Sequence, residues 1–189
     1  MAEQKQTKVM VKNARASYAN VFEAQSINEG DEPKYNISII IPKTEKETID
    51  KINKAIDKAT QVGVSEKFGG KKPANVRNPL RDGDVEREGD KAYENAYFIN
   101  AKSKRKPQIM DKENGVYIND PEQFYSGCYM HVTVNFYPYA VSGSKGIACG
   151  LINILKIADG EPLGGGGAKA EDDFAEFLTD SDFDEFLED

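Results

Sequence analysis

Aromatic and basic residues stand close together in several parts of this 189-residue sequence. Tyr97 is followed by a basic run that begins at Lys102, and the tyrosines of residues 128–139 alternate with apolar residues. Unpaired nucleic-acid strands are bound by cations that contact phosphates and by aromatic rings that stack on bases. The basic run alone fits a solvated loop equally well, but the aromatic neighbours favour a surface for single-stranded nucleic acid. Its candidate residues are Lys12, Arg15, Lys71, Lys72, Arg77, Tyr97, Lys102, Lys104, Arg105, Lys106, Tyr129, Tyr137 and Tyr139.

Catalytic chemistry has little support in the residue types and spacings. The sequence contains one histidine, His131, and two widely separated cysteines, which do not supply the compact ligand set of a zinc site. We therefore expect a binding protein with no enzymatic activity, no metal and no cofactor. A metal-dependent nuclease that uses Asp111, Glu113 and Asp120 stays open as an alternative, because carboxylates hold the metal ions of such enzymes.

The body of the chain is predicted to be mainly β. Apolar residues occupy every second position of residues 128–139, the pattern of a half-buried strand. One amphipathic helix is predicted from a capping box at Thr44 and Glu47 to Gly63, because isoleucines recur at helical spacing. Without recurring strand–helix–strand alternation, a small barrel or sandwich is favoured over a parallel α/β fold. The predicted strands are 8–22, 35–41, 93–101, 128–139 and 146–157.

A stretch of about thirty residues, 63–92, separates the helix from the next strand and is rich in glycine, proline and charge. Connections in compact domains are usually about 4–6 residues long, and much longer ones are commonly functional or disordered. The stretch holds a second basic cluster, formed by Lys71, Lys72, Arg77 and Arg81. We expect this cluster to add cations to the binding surface.

The charge of the chain is divided unevenly. Residues 161–189 hold eleven of the 32 carboxylates and one of the 25 basic residues, so they carry −10 while residues 1–160 carry +3. Four glycines at 164–167 are typical of a flexible linker. The sequence thus predicts a binding domain over residues 1–163, followed by a Gly-rich linker and disordered acidic tail over residues 164–189.

The tail contains a nine-residue tandem repeat, 172–180 and 181–189. Two phenylalanines and a leucine in each copy would share one face of a helix, an arrangement that suits docking into a groove on a partner protein. We predict that the tail recruits partners and competes with nucleic acid for the basic body. An adaptor in which the repeats carry the whole function stays open as an alternative. The predicted partner-binding residues are Phe174, Phe177, Leu178, Phe183, Phe186 and Leu187.

Four segments resemble a family of bacteriophage single-stranded-DNA-binding proteins: YFINAKS (97–103), NFYPY (135–139), GIACGLINILKI (146–157) and DGEPLGG (159–165). The resemblance implies a five-stranded OB-fold barrel that coats single strands in phage DNA replication, recombination or repair. It also implies that the tail contacts replication or recombination proteins. The sequence shows no apolar run near the roughly 18 residues of a membrane helix and no signal-peptide pattern. We therefore expect a soluble protein of the host cytoplasm, with its oligomeric state left open.

Overall fold

The computed structural model describes residues 7–26, 28–163 and 170–178. Long strands dominate the body, and a single long helix lies between the second and third strands. In chain order the elements are β1 (Lys8–Gln25), β2 (Lys34–Pro42), α1 (Lys46–Glu66), β3 (Arg81–Asp82), α2 (Gly83–Glu86), a 3-10 turn (Lys91–Tyr93), β4 (Ala96–Ser103), β5 (Gln108–Asp111), β6 (Tyr129–Val141), β7 (Ser144–Ala158), α3 (Ala170–Asp173) and a second 3-10 turn (Ala175–Phe177).

Five of the strands form a closed barrel. Antiparallel pairing joins β4 to β2, β2 to β1, β1 to β6 and β6 to β7. A parallel contact between Lys102 of β4 and Gly150 of β7 closes the ring. The short strands β3 and β5 are additions that pair with β4 and β7. The predicted mainly β, five-stranded barrel with one main helix is confirmed.

The interior of the barrel is filled by every second residue of the long strands. In β6, Met130, Val132, Val134 and Phe136 are buried, and the residues between them are more exposed. Burying a side chain of this size contributes roughly 1.5–3 kcal/mol relative to leaving it in water. The alternation therefore sets which face of β6 faces the core and leaves the opposite face, with Tyr137, on the outside.

Helix α1 packs against β6 and β1 through an apolar stripe that includes Ile52, Ala55 and Ala59. The predicted capping box is wrong, because Glu45 precedes the helix and makes no side-chain capping hydrogen bond. The helix also continues to Glu66, past its predicted end. Gly63 instead allows close packing, since a Cβ there would overlap the Phe68 ring.

The long segment after α1 folds back onto the outside of the barrel. There Tyr93 packs edge-on against Phe98 with ring centroids 5.2 Å apart, and Ile40 and Ala96 complete a small buried cluster. The Tyr93 hydroxyl is 3.0 Å from the hydroxyl oxygens of Ser17 and Ser38. We call Ile40, Tyr93, Ala96 and Phe98 the outer cluster. It anchors the segment that forms one wall of the site described next.

The segment after β7 also lies against the barrel. Arg15 donates to the carbonyl oxygens of Gly127 (3.1 Å) and Glu161 (2.7 Å). Gly127 has φ +119°, and a side chain there would overlap the Glu161 carbonyl. Leu163 then packs against the outer cluster. The described body therefore ends against the outer cluster.

Candidate nucleic-acid interface

A long groove lies between β4, the β6–β7 hairpin and the segment around β3. Its volume is about 1280 Å³. We call it the hairpin groove. Its cationic, amide and aromatic lining residues are Asn28, Lys34, Arg77, Asn78, Arg81, Asn100, Lys102, Tyr137 and Tyr139. The groove thus combines the two ingredients, cations and exposed rings, on which single-strand binding depends.

A second, smaller cavity continues from the hairpin groove. It has a volume of about 390 Å³ and is lined by Tyr18, Asn36, Ser38 and Arg87, among others. Asn100 and Lys102 line both cavities. We call the smaller one the bulge pocket, because Tyr18 lies where β1 bulges. The two cavities form one continuous surface across the outside of the barrel.

Backbone contacts bring Arg77 into the hairpin groove. The Arg77 N–H donates to the Lys145 carbonyl (3.1 Å), and the Ile147 N–H donates to the Arg77 carbonyl (3.0 Å). Gly146 makes this approach possible, since a Cβ there would lie 2.7 Å from the Arg77 Cβ and 2.8 Å from the Tyr139 hydroxyl. The absence of a side chain at Gly146 therefore leaves room for both Arg77 and Tyr139 next to β7.

Most cations of the hairpin groove are not neutralised by neighbouring carboxylates. Arg81 is paired with Glu86, with Nη2 and Oε1 2.6 Å apart, and this hydrogen bond raises the pKa of Arg81. Lys34, Arg77 and Lys102 have no ion pair to another residue of the described ranges. These three side chains are available to contact phosphates.

The two tyrosines of the groove stand on the outer face of β6. Tyr137 is 40% exposed and Tyr139 is half-buried. Burial raises the pKa of Tyr137, and the neighbouring Cys149 adds to this effect. Tyr137 therefore stays a neutral ring at physiological pH, the form in which it can stack on a base.

The structure brings four of the candidate residues together in this groove, Arg77, Lys102, Tyr137 and Tyr139, and Arg81 of the second basic cluster lines it too. The side chains of the basic run that starts at Lys102 do not share one surface. Lys104 pairs with Glu32 (3.1 Å), and Lys106 lies over the Phe22 ring, 5.9 Å from its centroid. Arg105 is exposed beyond the end of β4.

The remaining predicted residues lie elsewhere on the body. Lys12 lines a separate cleft of about 610 Å³ between β1 and α1. Arg15 lies over the Tyr129 ring at 5.4 Å while it holds the segment after β7. Tyr97 lies beneath Lys43, whose Nζ is 5.1 Å from the ring centroid. Lys71 and Lys72 are exposed on the segment that follows α1.

The lining residues that sequence reasoning missed include Tyr18, Lys34, Arg87 and Asn100. They come from separate parts of the fold: Tyr18 from β1, Lys34 from β2, Arg87 from the segment after α2 and Asn100 from β4. The pairing of β1, β2 and β4 brings Tyr18, Lys34 and Asn100 to one face, and contacts with the rings of Tyr93 and Phe98 hold Arg87 there. The one available signal was the strand alternation itself, which puts Asn100 and Lys102 on the same side of β4.

The groups considered for catalysis have structural partners. Asp111 and Asp120 each accept a hydrogen bond from a backbone N–H two residues later, as in ordinary turns. His131 Nδ1 accepts from the Asn13 N–H (3.0 Å). Among the described residues, no three His, Cys, Asp or Glu side chains converge to hold a metal ion. Nor does that part of the chain contain a helix long and apolar enough to cross a membrane.

The tail is described only in part. Phe174, Phe177 and Leu178 are 55%, 62% and 66% exposed, with Phe177 at the end of the second 3-10 turn and the other two on either side of that turn. The second copy of the motif, with Phe183, Phe186 and Leu187, lies outside the described residues. The first copy thus presents its apolar residues to solvent.

The chain is similar to phage proteins in sequence and structure. Residues 7–187 match the family model described as Enterobacter phage Enc34, ssDNA-binding protein. The putative protein p50 of Acyrthosiphon pisum secondary endosymbiont phage 1 is 28% identical over 176 residues, which are 88% of this chain and 92% of that protein.

Two solved structures share the fold. The single-stranded DNA-binding protein from bacteriophage Enc34 in complex with ssDNA has a TM-score of 0.71 and 27% identity, covering 85% of this chain and 91% of its own. Gp2.5 of bacteriophage T7, a single-stranded DNA-binding protein, has a TM-score of 0.61 and 15% identity, covering 86% and 97%. At 15% identity the second match shows a common fold alone.

Proposed function

Because this chain belongs to the family of the Enterobacter phage Enc34 ssDNA-binding protein, a family of non-enzymatic single-stranded-DNA-binding proteins, we propose that it binds the strand along the hairpin groove. The observation that carries the proposal is the convergence of three unpaired cations, Lys34, Arg77 and Lys102, with the rings of Tyr137 and Tyr139. The cations contact phosphates and the rings stack on bases, so binding tolerates any base sequence.

The number of groove cations sets the expected salt dependence. Each phosphate contact on a single strand contributes about 0.7 to the slope of log K against log salt concentration. Three contacts therefore predict a slope of roughly −2. Stacking adds about 1–3 kcal/mol per base and depends little on salt. We expect moderate affinity with a shallow salt dependence.

Anisotropy of a labelled dT oligonucleotide, titrated at several salt concentrations, tests this proposal. Lys102→Ala should weaken binding and reduce the magnitude of the slope by about 0.7. Lys112→Ala is the matched control, because Lys112 is exposed but does not line the groove. Equal effects of the two substitutions, or no effect of either, would refute the groove as the binding site.

For the tail we propose recruitment of replication or recombination proteins through Phe174, Phe177 and Leu178, with the second copy of the motif acting alongside. The exposure of these residues and their helical spacing support docking into an apolar groove on a partner. The setting would be phage DNA replication, recombination or repair in the host cytoplasm. Alanine at Phe174 and Phe177 should abolish association with such proteins and leave DNA binding intact.

We also propose that the acidic tail competes with DNA for the hairpin groove. The −10 charge of residues 161–189 supports this proposal, and so does the point at which the body ends. Leu163 packs against the outer cluster, whose Phe98 ring lies 5.2 Å from the guanidinium carbon of Arg81 and 5.7 Å from that of Arg87. Leu163, the last described residue before the tail, therefore packs on the same cluster that these two arginines contact.

A further inference from the structure

Tyr18 occupies a β-bulge that faces the bulge pocket. Ser17 pairs with Ser38 and Asn20 pairs with Asn36. Between these two pairs β1 advances by three residues and β2 by only two, so β1 carries one extra residue. Bulges of this kind redirect a side chain and are common beside functional sites. Here the redirected side chain is an aromatic ring that is 55% exposed and lines the pocket.

The backbone of Tyr18 is strained. Its φ is +45°, in the left-handed region that suits glycine and asparagine and is an outlier for a bulky residue. The second bulge of the same strand offers a comparison, because its left-handed position is occupied by Asn13 (φ +55°). In the described part of the chain, the other non-glycine residues with a positive φ are Asn95 and Ser142, and both are small and polar. A large ring at position 18 is therefore not required by the turn itself.

Arg87 lies on the Tyr18 ring, with its guanidinium carbon 5.4 Å from the ring centroid. The same guanidinium is 5.3 Å from the ring centroid of Tyr93 and 5.7 Å from that of Phe98. Arg87 has no ion pair to a described residue. It is thus held by aromatic faces of the outer cluster and, in turn, supports the exposed ring.

The polar lining of the pocket leaves one amide available. Asn36 is engaged, because its Oδ1 accepts from Asn20 Nδ2 (2.9 Å). Asn100 is exposed and makes no side-chain hydrogen bond within the described residues. Lys102, next on the same face of β4, links this pocket to the hairpin groove. A flat ligand on Tyr18 would meet a donor and an acceptor from Asn100 at its edge.

We propose that the bulge pocket is a separate subsite for one nucleobase, which stacks on the Tyr18 ring while Arg87 supports that ring. Asn100 contacts the edge of the base, and Lys102 holds the phosphate that leads into the hairpin groove. The inference rests on the proposed function and extends it: the strand crosses from the hairpin groove over β4 to β1. The pocket volume of about 390 Å³ accommodates a base, since ligand pockets of roughly 300–1,000 Å³ hold small molecules.

Substitution of Tyr18 separates a binding role from a structural role. Tyr18→Asn places a residue suited to the left-handed backbone, so the full chain should keep or raise its melting temperature. Its affinity for a dT oligonucleotide should fall by roughly five- to 100-fold, the worth of one stacked base, and Tyr18→Phe should restore it. Tyr117→Ala is the matched control, since Tyr117 is 57% exposed but lines neither cavity. Wild-type affinity in Tyr18→Asn would overturn the subsite.

Crosslinking supplies a readout that does not depend on the stability of a variant. The wild-type full chain, irradiated with an oligonucleotide containing 5-iodo-deoxyuridine, should form an adduct on the peptide that holds Tyr18. Adducts confined to the peptides of Tyr137 and Tyr139 would overturn the subsite and leave the hairpin groove intact. A wild-type chain that does not bind the oligonucleotide at all would instead overturn the proposed function.

Discussion

Single residues from distant parts of the chain create the proposed binding surface. Arg77 reaches it through backbone pairing with β7, Lys102 through the closing contact of the barrel and Tyr137 from the outer face of β6. Tyr18 joins them at a backbone conformation that is unfavourable by roughly 1–2 kcal/mol for a side chain of this kind. The protein therefore gives up a little stability at Tyr18, and we propose that it does so because the exposed ring stacks on a base.

Tyr137 offers a direct test at this scale. Tyr137→Ala should weaken oligonucleotide binding by about 1–3 kcal/mol, because a stacking surface is lost. Tyr137→Phe should bind as the wild type does, since the ring is retained. Anisotropy titrations of both variants measure the effect. Equal losses in both would show that the hydroxyl, not the ring, makes the contact.

His131 links the stability of the barrel to pH. Burial, followed by the charges of Lys112 and Lys12, lowers the pKa of His131 below its ordinary value of 6.5. The unfolded chain therefore takes up a proton more readily than the folded one, and stability is lost as pH falls below 6.5 through the folded value. Protonation also removes the Nδ1 acceptor used by the Asn13 N–H.

Urea unfolding at about pH 7.5 and about pH 5 checks this expectation, with His131→Gln as the variant that cannot titrate. The wild type should lose more stability than His131→Gln between the two pH values. An identical pH dependence in both proteins would exclude His131 as the source.

At the scale of elements, close packing between α1 and β6 positions the hairpin that carries the groove tyrosines. Gly63 contacts Phe68 and Pro138, and Pro138 lies between Tyr137 and Tyr139 in β6. Gly63→Ala should destabilise the fold by about 1–3 kcal/mol, because the added methyl group overpacks this contact. Gly150→Ala is the control, since its Cβ would make ordinary contacts of 3.5 Å. Thermal unfolding that ranks the two variants equally would contradict this packing argument.

Elements were easier to predict from the sequence than the surface that they form. Alternating hydrophobicity in residues 128–139 predicts β6 and its buried face, because successive side chains of any strand point to opposite sides. The groove depends on the register between strands, which no local pattern specifies. The basic run after Lys102 shows the difference: β4 ends at Ser103, so Lys104 and Lys106 turn to partners on other parts of the body. The predicted capping box is wrong because the residue that precedes α1 is Glu45, not Thr44, and Glu45 makes no side-chain capping hydrogen bond.

At the scale of the whole molecule, the charge is divided between residues 1–160, which carry +3, and residues 161–189, which carry −10. If the tail competes with DNA, deletion of residues 168–189 should tighten oligonucleotide binding at low salt and have a smaller effect at high salt, where charges are screened. Anisotropy titrations of the full chain and the shortened chain at two salt concentrations measure this. An unchanged or weaker affinity after deletion would rule out competition.

The central claim is that single-stranded DNA lies in the hairpin groove and not in the lysine-lined cleft between β1 and α1. Hydrogen–deuterium exchange of the full chain, with and without a dT oligonucleotide, tests it most directly. We expect slower exchange in residues 77–82, 98–103 and 137–148, which border the groove. Protection concentrated in residues 8–13 and 45–58, which border the cleft, would contradict it.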